Sequence, residues 1–132
     1  MPLYRVLTRT GLLTDEQRQA FSRQVTDVHC AITGAPPSFV HVLYAEDHHG
    51  ELKEGAAALV FGTIRHGRND SQKHDIRHGL SRALASHAGV DETEVIVTID
   101  DIRASYTMEG GKLLPEPGSP EEKAWRAPGM AH

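Results

Sequence analysis

The sequence predicts an α/β protein: tandem duplicated β-α-β units forming a four-stranded sheet with two helices on one face. Three observations carry this reading. Two segments of about twenty residues have helical apolar periodicity, with a capping signal before and a glycine after. Each is flanked by short runs rich in β-formers. The second set repeats the first at an offset of 56 positions, seen in Thr14/Asp70, Leu3/Leu59 and Val40/Ile96.

LYRVLT (3–8) alternates loosely and reads as the first strand. TDEQRQAFSRQVTDVHCAITG (14–34) is the clearest helix. Thr14 and Gln17 have capping-box spacing, and Phe21, Val25, Val28 and Ile32 form one apolar stripe. Gly34 ends it, with Pro36 and Pro37 beyond. FVHVLYAE (39–46) is the second strand and AALVFGTIR (57–65) the third. A second helix starts at Asn69 or Asp70 and runs to about Ala88, with Ile76, Leu80, Ala83 and Leu84 inward and Gly89 closing it. EVIVTID (94–100) is the fourth strand.

Each copy is long enough for a right-handed parallel crossover. The expected organisation is a single domain over 1–132. It comprises a first βαβ unit (2–46), a second (57–100) and a Gly/Pro-rich C-terminal segment (101–132). In that segment SPEE (119–122) offers Ser119 as N-cap, Pro120 at N1 and Glu122 at N3, so a short helical turn carrying Trp125 precedes a loose end. Helices on one face leave the other face of the sheet open. Phe39, Val40, Val42, Leu43 and Tyr44 place apolar groups on both faces of one strand, so a covering partner is needed, and self-association supplies it most simply.

Composition narrows the function classes. The net charge of −4 is mild and has no long run of one sign, which points away from nucleic acid and anionic membranes. No apolar stretch approaches the roughly 18 residues of a membrane helix, and the N-terminus lacks a signal-peptide pattern. Cys30 is the sole cysteine, so no intrachain disulfide forms, and a cytoplasmic protein is expected. His74 and His78 have i, i+4 spacing, but HDIRH lacks the glutamate of the zinc-protease motif and no third ligand is apparent. They read as a solvated face, His48–His49 as an exposed loop, and Cys30 as a small core residue. Neither a metal nor a cofactor is expected.

The polar residues that this pattern gathers are more informative. Pro2 starts the first strand, Arg65 and Arg68 follow the third in TIRHGRND, His29 lies beside the apolar stripe of the first helix, and Glu109 follows the fourth strand. The second copy has Ala58 at the position matching Pro2, so the fold itself does not ask for proline there. A free N-terminal proline offers a compact secondary amine held in direction by its ring. Apolar burial and nearby guanidinium groups favour its neutral form, which abstracts a proton α to a carbonyl. Paired arginines suit a carboxylate through bidentate hydrogen bonds and stabilise a developing enolate.

From Pro2 to about Gly118 the chain resembles the tautomerase superfamily, and within it cis-3-chloroacrylic acid dehalogenase and its homologues. The resemblance rests on the N-terminal proline, TDVHCAITG, RHGR and EGGKLLPEPG, in order and at compatible spacing. It implies a homotrimer of duplicated βαβ subunits whose mature chain begins at proline. It implies Pro2 as the catalytic amine, Arg65 and Arg68 as the binders of a substrate carboxylate, and His29 and Glu109 as residues that position substrate or activate water. The dehalogenase has a tyrosine where this sequence places Thr98, and Tyr106 follows eight residues later, so both are pocket candidates. The reading is a cofactor-independent, trimeric enzyme doing proton transfer on a small 2-oxo or 2-hydroxy-unsaturated carboxylic acid. The alternatives are a hydratase or hydrolytic dehalogenase of 3-substituted acrylates, and a non-catalytic carboxylate-binding protein on the same scaffold. Met1 must be removed for Pro2 to be an amine.

Overall fold

The computed structural model describes residues 1–126; the loose end expected beyond Trp125 lies outside the described residues. Strand β1 (Leu3–Thr8), helix α1 (Asp15–Thr33), strand β2 (His41–Glu46), strand β3 (Ala58–Arg65), helix α2 (Asp70–Ala88) and strand β4 (Val95–Ile102) follow in order. The strands form one sheet in the order β2-β1-β3-β4. Strand β1 runs parallel to β2 and β3 parallel to β4, while β1 and β3 pair antiparallel at the centre. Two βαβ units therefore meet along the β1–β3 seam.

Strand alternation decides which face the helices cover. Tyr4, Val6 and Thr8 of β1 point inward with Ala58, Val60 and Ile64 of β3. Phe21 and Val25 of α1 and Ile76, Leu80 and Leu84 of α2 pack onto them as one core. The helices approach closely at Gly79, where a Cβ would stand 3.1 Å from Val28 Cγ1. Both helices begin with a capping box, Thr14 with Gln17 and Asn69 with Gln72, and both end in a left-handed glycine, Gly34 and Gly89. The cap of α2 is thus Asn69, and the helices repeat at 55 positions rather than 56.

Strand β2 starts two residues later than the sequence pattern suggests. Pro36 and Pro37 hold the chain in a 3₁₀ turn over Pro37–Phe39, and Phe39 is buried. The opposite face of the sheet carries Arg5, Leu7, Leu43, Leu59 and Phe61 along a groove, with Leu43 58% exposed. Beyond β4 come a short hairpin, β5 (Met108–Glu109) with β6 (Lys112–Leu113), and helix α3 (Pro120–Trp125). Among the described residues no helix is long and apolar enough to cross a membrane.

Gly62 lies opposite Tyr4 in the central seam, and a Cβ there would fall 2.7 Å from Tyr4 Cε1 and 2.8 Å from Ile99 Cδ1. Gly62→Val overpacks that point, and urea unfolding is expected to show a loss of about 1–3 kcal/mol.

Candidate active site at the chain terminus

The topology brings four distant segments to one end of the sheet. Because β1 and β3 are antiparallel, the start of β1 lies beside the end of β3, with Leu3 opposite Thr63. Helix α1 runs back across the sheet from the end of β1, so its C-terminal part returns to the same end. Residues 108–126 follow β4, which is parallel to β3 and ends beside it, with Ile102 opposite Arg65. Pro2, His29, Arg65, Arg68 and Glu109 are all on these segments.

Arg65, the last residue of β3, has a side chain only 4% exposed. Removing a guanidinium from water is costly unless its charge and donors are met. Its Nη1 donates to Pro115 O at 3.0 Å. Its Nη2 forms an ion pair with Glu122 of α3. Its plane lies over the Trp125 ring, 4.8 Å from the centroid. Glu122 also accepts from Gly118 N at 3.1 Å. Burial pushes the Glu122 carboxyl up, but the Gly118 N–H and the Arg65 and Arg126 charges outweigh it and hold it below the ordinary carboxylate range. Arg126 Nη1 donates to Gly34 O at 3.1 Å, tying the tail to the end of α1.

Gly67, between Arg65 and Arg68, adopts φ 120° and faces Pro117, whose Cγ would lie 2.9 Å from a Cβ. Only glycine suits both that φ and that approach. The RHGR and LLPEPG motifs are therefore in contact. Arg68 is half-buried. Burial first, and then the Arg65 and Arg126 charges, lower its pKa. Three guanidiniums thus bear on one carboxylate, Glu122, among the described residues.

The terminal amine completes the cluster. Met1 N is 2.6 Å from Glu109 Oε2. Glu109 Oε1 accepts from Trp125 Nε1 at 3.4 Å, so one carboxylate joins the chain start to α3. Trp125 in turn packs on Phe39, with ring centroids 4.4 Å apart. Pro2 is buried beside the amine, and in a chain bearing Met1 its nitrogen is an amide.

His29 is 2% exposed, and its Nδ1 lies 2.7 Å from the Tyr4 hydroxyl. Burial, the Arg68 charge and the terminal amine push its pKa down to about 4.

Thr98 and Tyr106 do not join this cluster within one protomer. Alternation along β4 sends Val95, Val97 and Ile99 toward the helices and Thr98 to the open face, exposed. Tyr106 is 73% exposed, with the Arg103 guanidinium 5.7 Å from its ring centre. His74 and His78 stack at 6.1 Å on the exposed side of α2, and no group of three metal-ligating side chains occurs among the described residues. Sequence reasoning missed Tyr4 and Glu122. The SPEE start did signal a helix, but nothing local says that its N3 carboxylate reaches a buried arginine 57 positions earlier.

The depressed His29 pKa has a stability consequence. Its folded value of about 4 lies below the ordinary 6.5, so the unfolded chain binds more protons between those values. The stabilisation is full above pH 6.5 and is lost as pH falls toward 4, on the order of 3 kcal/mol in all. Urea unfolding at pH 7 and pH 4.5 is expected to show a larger loss for the native sequence than for His29→Gln.

Comparison with known proteins places this arrangement. Residues 1–129 match the family model Tautomerase_3, described as "Putative oxalocrotonate tautomerase enzyme". The solved structure of N1, a member of the cis-3-chloroacrylic acid dehalogenase family, is 32% identical, with 93% of this chain and 89% of that chain covered and a TM-score of 0.81. A wild-type fused 4-OT solved as a symmetric trimer is 25% identical over 85% of this chain and 94% of that chain, with a TM-score of 0.75. Macrophage migration inhibitory factor from Toxoplasma gondii shares the fold at 21% identity and a TM-score of 0.70, covering 85% of this chain and 99% of that one. No curated protein sequence matches. A family model spanning nearly the whole chain, joined to the duplicated sheet and the terminal cluster, settles the relationship: the chain belongs to the tautomerase superfamily, as a protein of the cis-3-chloroacrylic acid dehalogenase-like kind.

Proposed function

We propose that the protein is a cofactor-independent enzyme that uses the Pro2 amine, after removal of Met1, for proton transfer on a small 2-oxo or 2-hydroxy-unsaturated carboxylic acid. One observation carries the reading: the chain's amine sits in a cluster where guanidinium groups outnumber the carboxylate they share. Such a pocket attracts an anion and delivers it to the amine. Arg68, whose guanidinium makes no ion pair among the described residues, is the first contact for the substrate carboxylate. Arg65 is already engaged by Glu122, so it binds directly only if Glu122 yields, and otherwise acts through its charge. The neutral proline nitrogen takes a proton, from the carbon next to the carbonyl or from the enol hydroxyl, and in its protonated form returns it to the enol oxygen or the enol carbon. Glu109, which faces the terminus, orients that nitrogen or stabilises its protonated form. A homotrimer covering the open sheet face accords with the trimeric fused 4-OT and with exposed Leu43.

A second reading follows from the likeness to N1: water addition to a 3-substituted acrylate, with or without loss of halide. Halide release that depends on a 3-haloacrylate separates the two. Thr98 in place of a tyrosine favours proton transfer.

Three outcomes test this. Arg68→Ala is expected to lower kcat/KM for an enol acid by about 100-fold, mainly through KM, with stability nearly unchanged. Arg65→Ala is expected to lower it as well and also to free α3, read as altered emission from Trp125, the only tryptophan. A preparation shown by intact mass to retain Met1 is expected to be at least about tenfold less active than one beginning at Pro2, roughly 1.4 kcal/mol of barrier. Equal rates for the two forms would exclude the proline mechanism.

A further inference from the structure

We infer that Tyr4 is a positioning residue: its hydroxyl donates to Nδ1 of His29 and so fixes the imidazole as the tautomer with its proton on Nε2. The inference deepens the function proposed above and rests on it for its catalytic consequence, though the tautomer itself does not.

The donor is set by elimination. Tyr4 is 0% exposed, and its hydroxyl lies 2.7 Å from His29 Nδ1. If Nδ1 carried the proton and donated, the buried phenol would need another acceptor for its own O–H. Among the described residues the hydroxyl contacts none. A buried donor left unmet carries the full penalty of its lost hydrogen bond to water, so the hydroxyl donates. The imidazole is neutral because its surroundings oppose a further positive charge. Tyr4 faces it from β1, Arg68 from the β3–α2 loop and the terminal amine from the chain start, while Cys30 on α1 acts on Tyr4. Burial also raises the Tyr4 pKa, which keeps the phenol protonated as a donor.

The phenol is itself held in place. Tyr4 packs edge-on to His29, with ring centres 5.7 Å apart and planes at 75°. Its ring crosses the β3 backbone at Gly62, close enough that a Cβ would overlap it. Gly62 therefore admits the ring, the ring places the hydroxyl, and the hydroxyl orients the imidazole. His29 Nε2 makes no hydrogen bond among the described residues. With its proton there, it offers a neutral donor to the carbonyl or enolate oxygen of a substrate bound between Arg68 and the terminus.

The experiment uses the full chain labelled with ¹⁵N-histidine, with His29 assigned by comparison with His29→Gln. Long-range ¹H–¹⁵N spectra at pH 7 are expected to show His29 protonated on Nε2 alone. In Tyr4→Phe, which keeps the ring that fills the space at Gly62, the resonances are expected to move toward a mixture of both tautomers. The same variant is expected to lose at least about tenfold in kcat for ketonisation of the enol of phenylpyruvate, with KM little changed. A wild-type His29 protonated on Nδ1 would overturn the inference, and that spectrum is decisive even where the variant fails to fold. So would a Tyr4→Phe protein with an unchanged tautomer, or one with mixed tautomers and unchanged kcat. If native protein turns over no enol acid while its spectrum shows Nε2–H, the proton-transfer reading fails and the tautomer assignment stands.

Discussion

Arg65 is the constraint around which the terminal end of the molecule is organised. A guanidinium at the end of a central strand, almost wholly withdrawn from water, requires partners from elsewhere. The tail supplies them: the Pro115 carbonyl, the Glu122 carboxylate and the face of Trp125. Once Trp125 is held there, its indole N–H reaches Glu109, and Glu109 reaches the chain terminus. The order of dependence runs from strand to tail to amine. The tail both covers the guanidinium and matches its charge.

The same arrangement explains how an apolar end of a sheet tolerates so much charge. Positive groups come from the loop after β3 and from the tail, and only one carboxylate stands among them, while the second is taken by the terminus. Part of the excess stays in reach of water, since Arg68 is only half-buried. It also leaves the imidazole of His29 with little to gain from a proton, since the Arg68 guanidinium and the terminal amine both oppose it. Electrostatics and burial push that group the same way, which is why a histidine near a helix C-terminus departs here from the usual tendency to be protonated.

Much of this was legible in the chain. Capping boxes, left-handed glycines and one apolar stripe per helix are local signals, and both helices follow them. The repeat put Pro2 and Arg65 at one end of the sheet, because a βαβ pair joined by its first strands leaves few other arrangements. His29 stood out as a polar residue beside the apolar stripe of the first helix. The tail was legible as a helix but not as a partner, since Glu122 and Arg65 are linked by tertiary packing with no sequence periodicity between them. Tyr4 was hidden for a related reason. In a strand pattern an inward tyrosine reads as core, and only the folded chain brings its hydroxyl to 2.7 Å from His29 Nδ1. The offset of 56 holds for β1 and β3, where inward Tyr4 matches inward Val60, but it is 55 from the helices onward, where inward Val42 and Tyr44 match Val97 and Ile99; the connection before α2 is one residue shorter than the one before α1.

The antiparallel seam relates the two halves by an approximate two-fold, so the sheet has two equivalent ends. At one end lies the start of β1, where the chain begins; at the other lies the start of β3, where the chain is continuous through Ala57 and Ala58. A tandem polypeptide has one amino terminus however many copies it contains. Any chemistry that relies on a terminal amine is therefore available once per two units, and the symmetric position at the far end is a peptide bond. Under the proposed function, two tandem βαβ units share one terminal amine, and the second end is free of that constraint on its sequence.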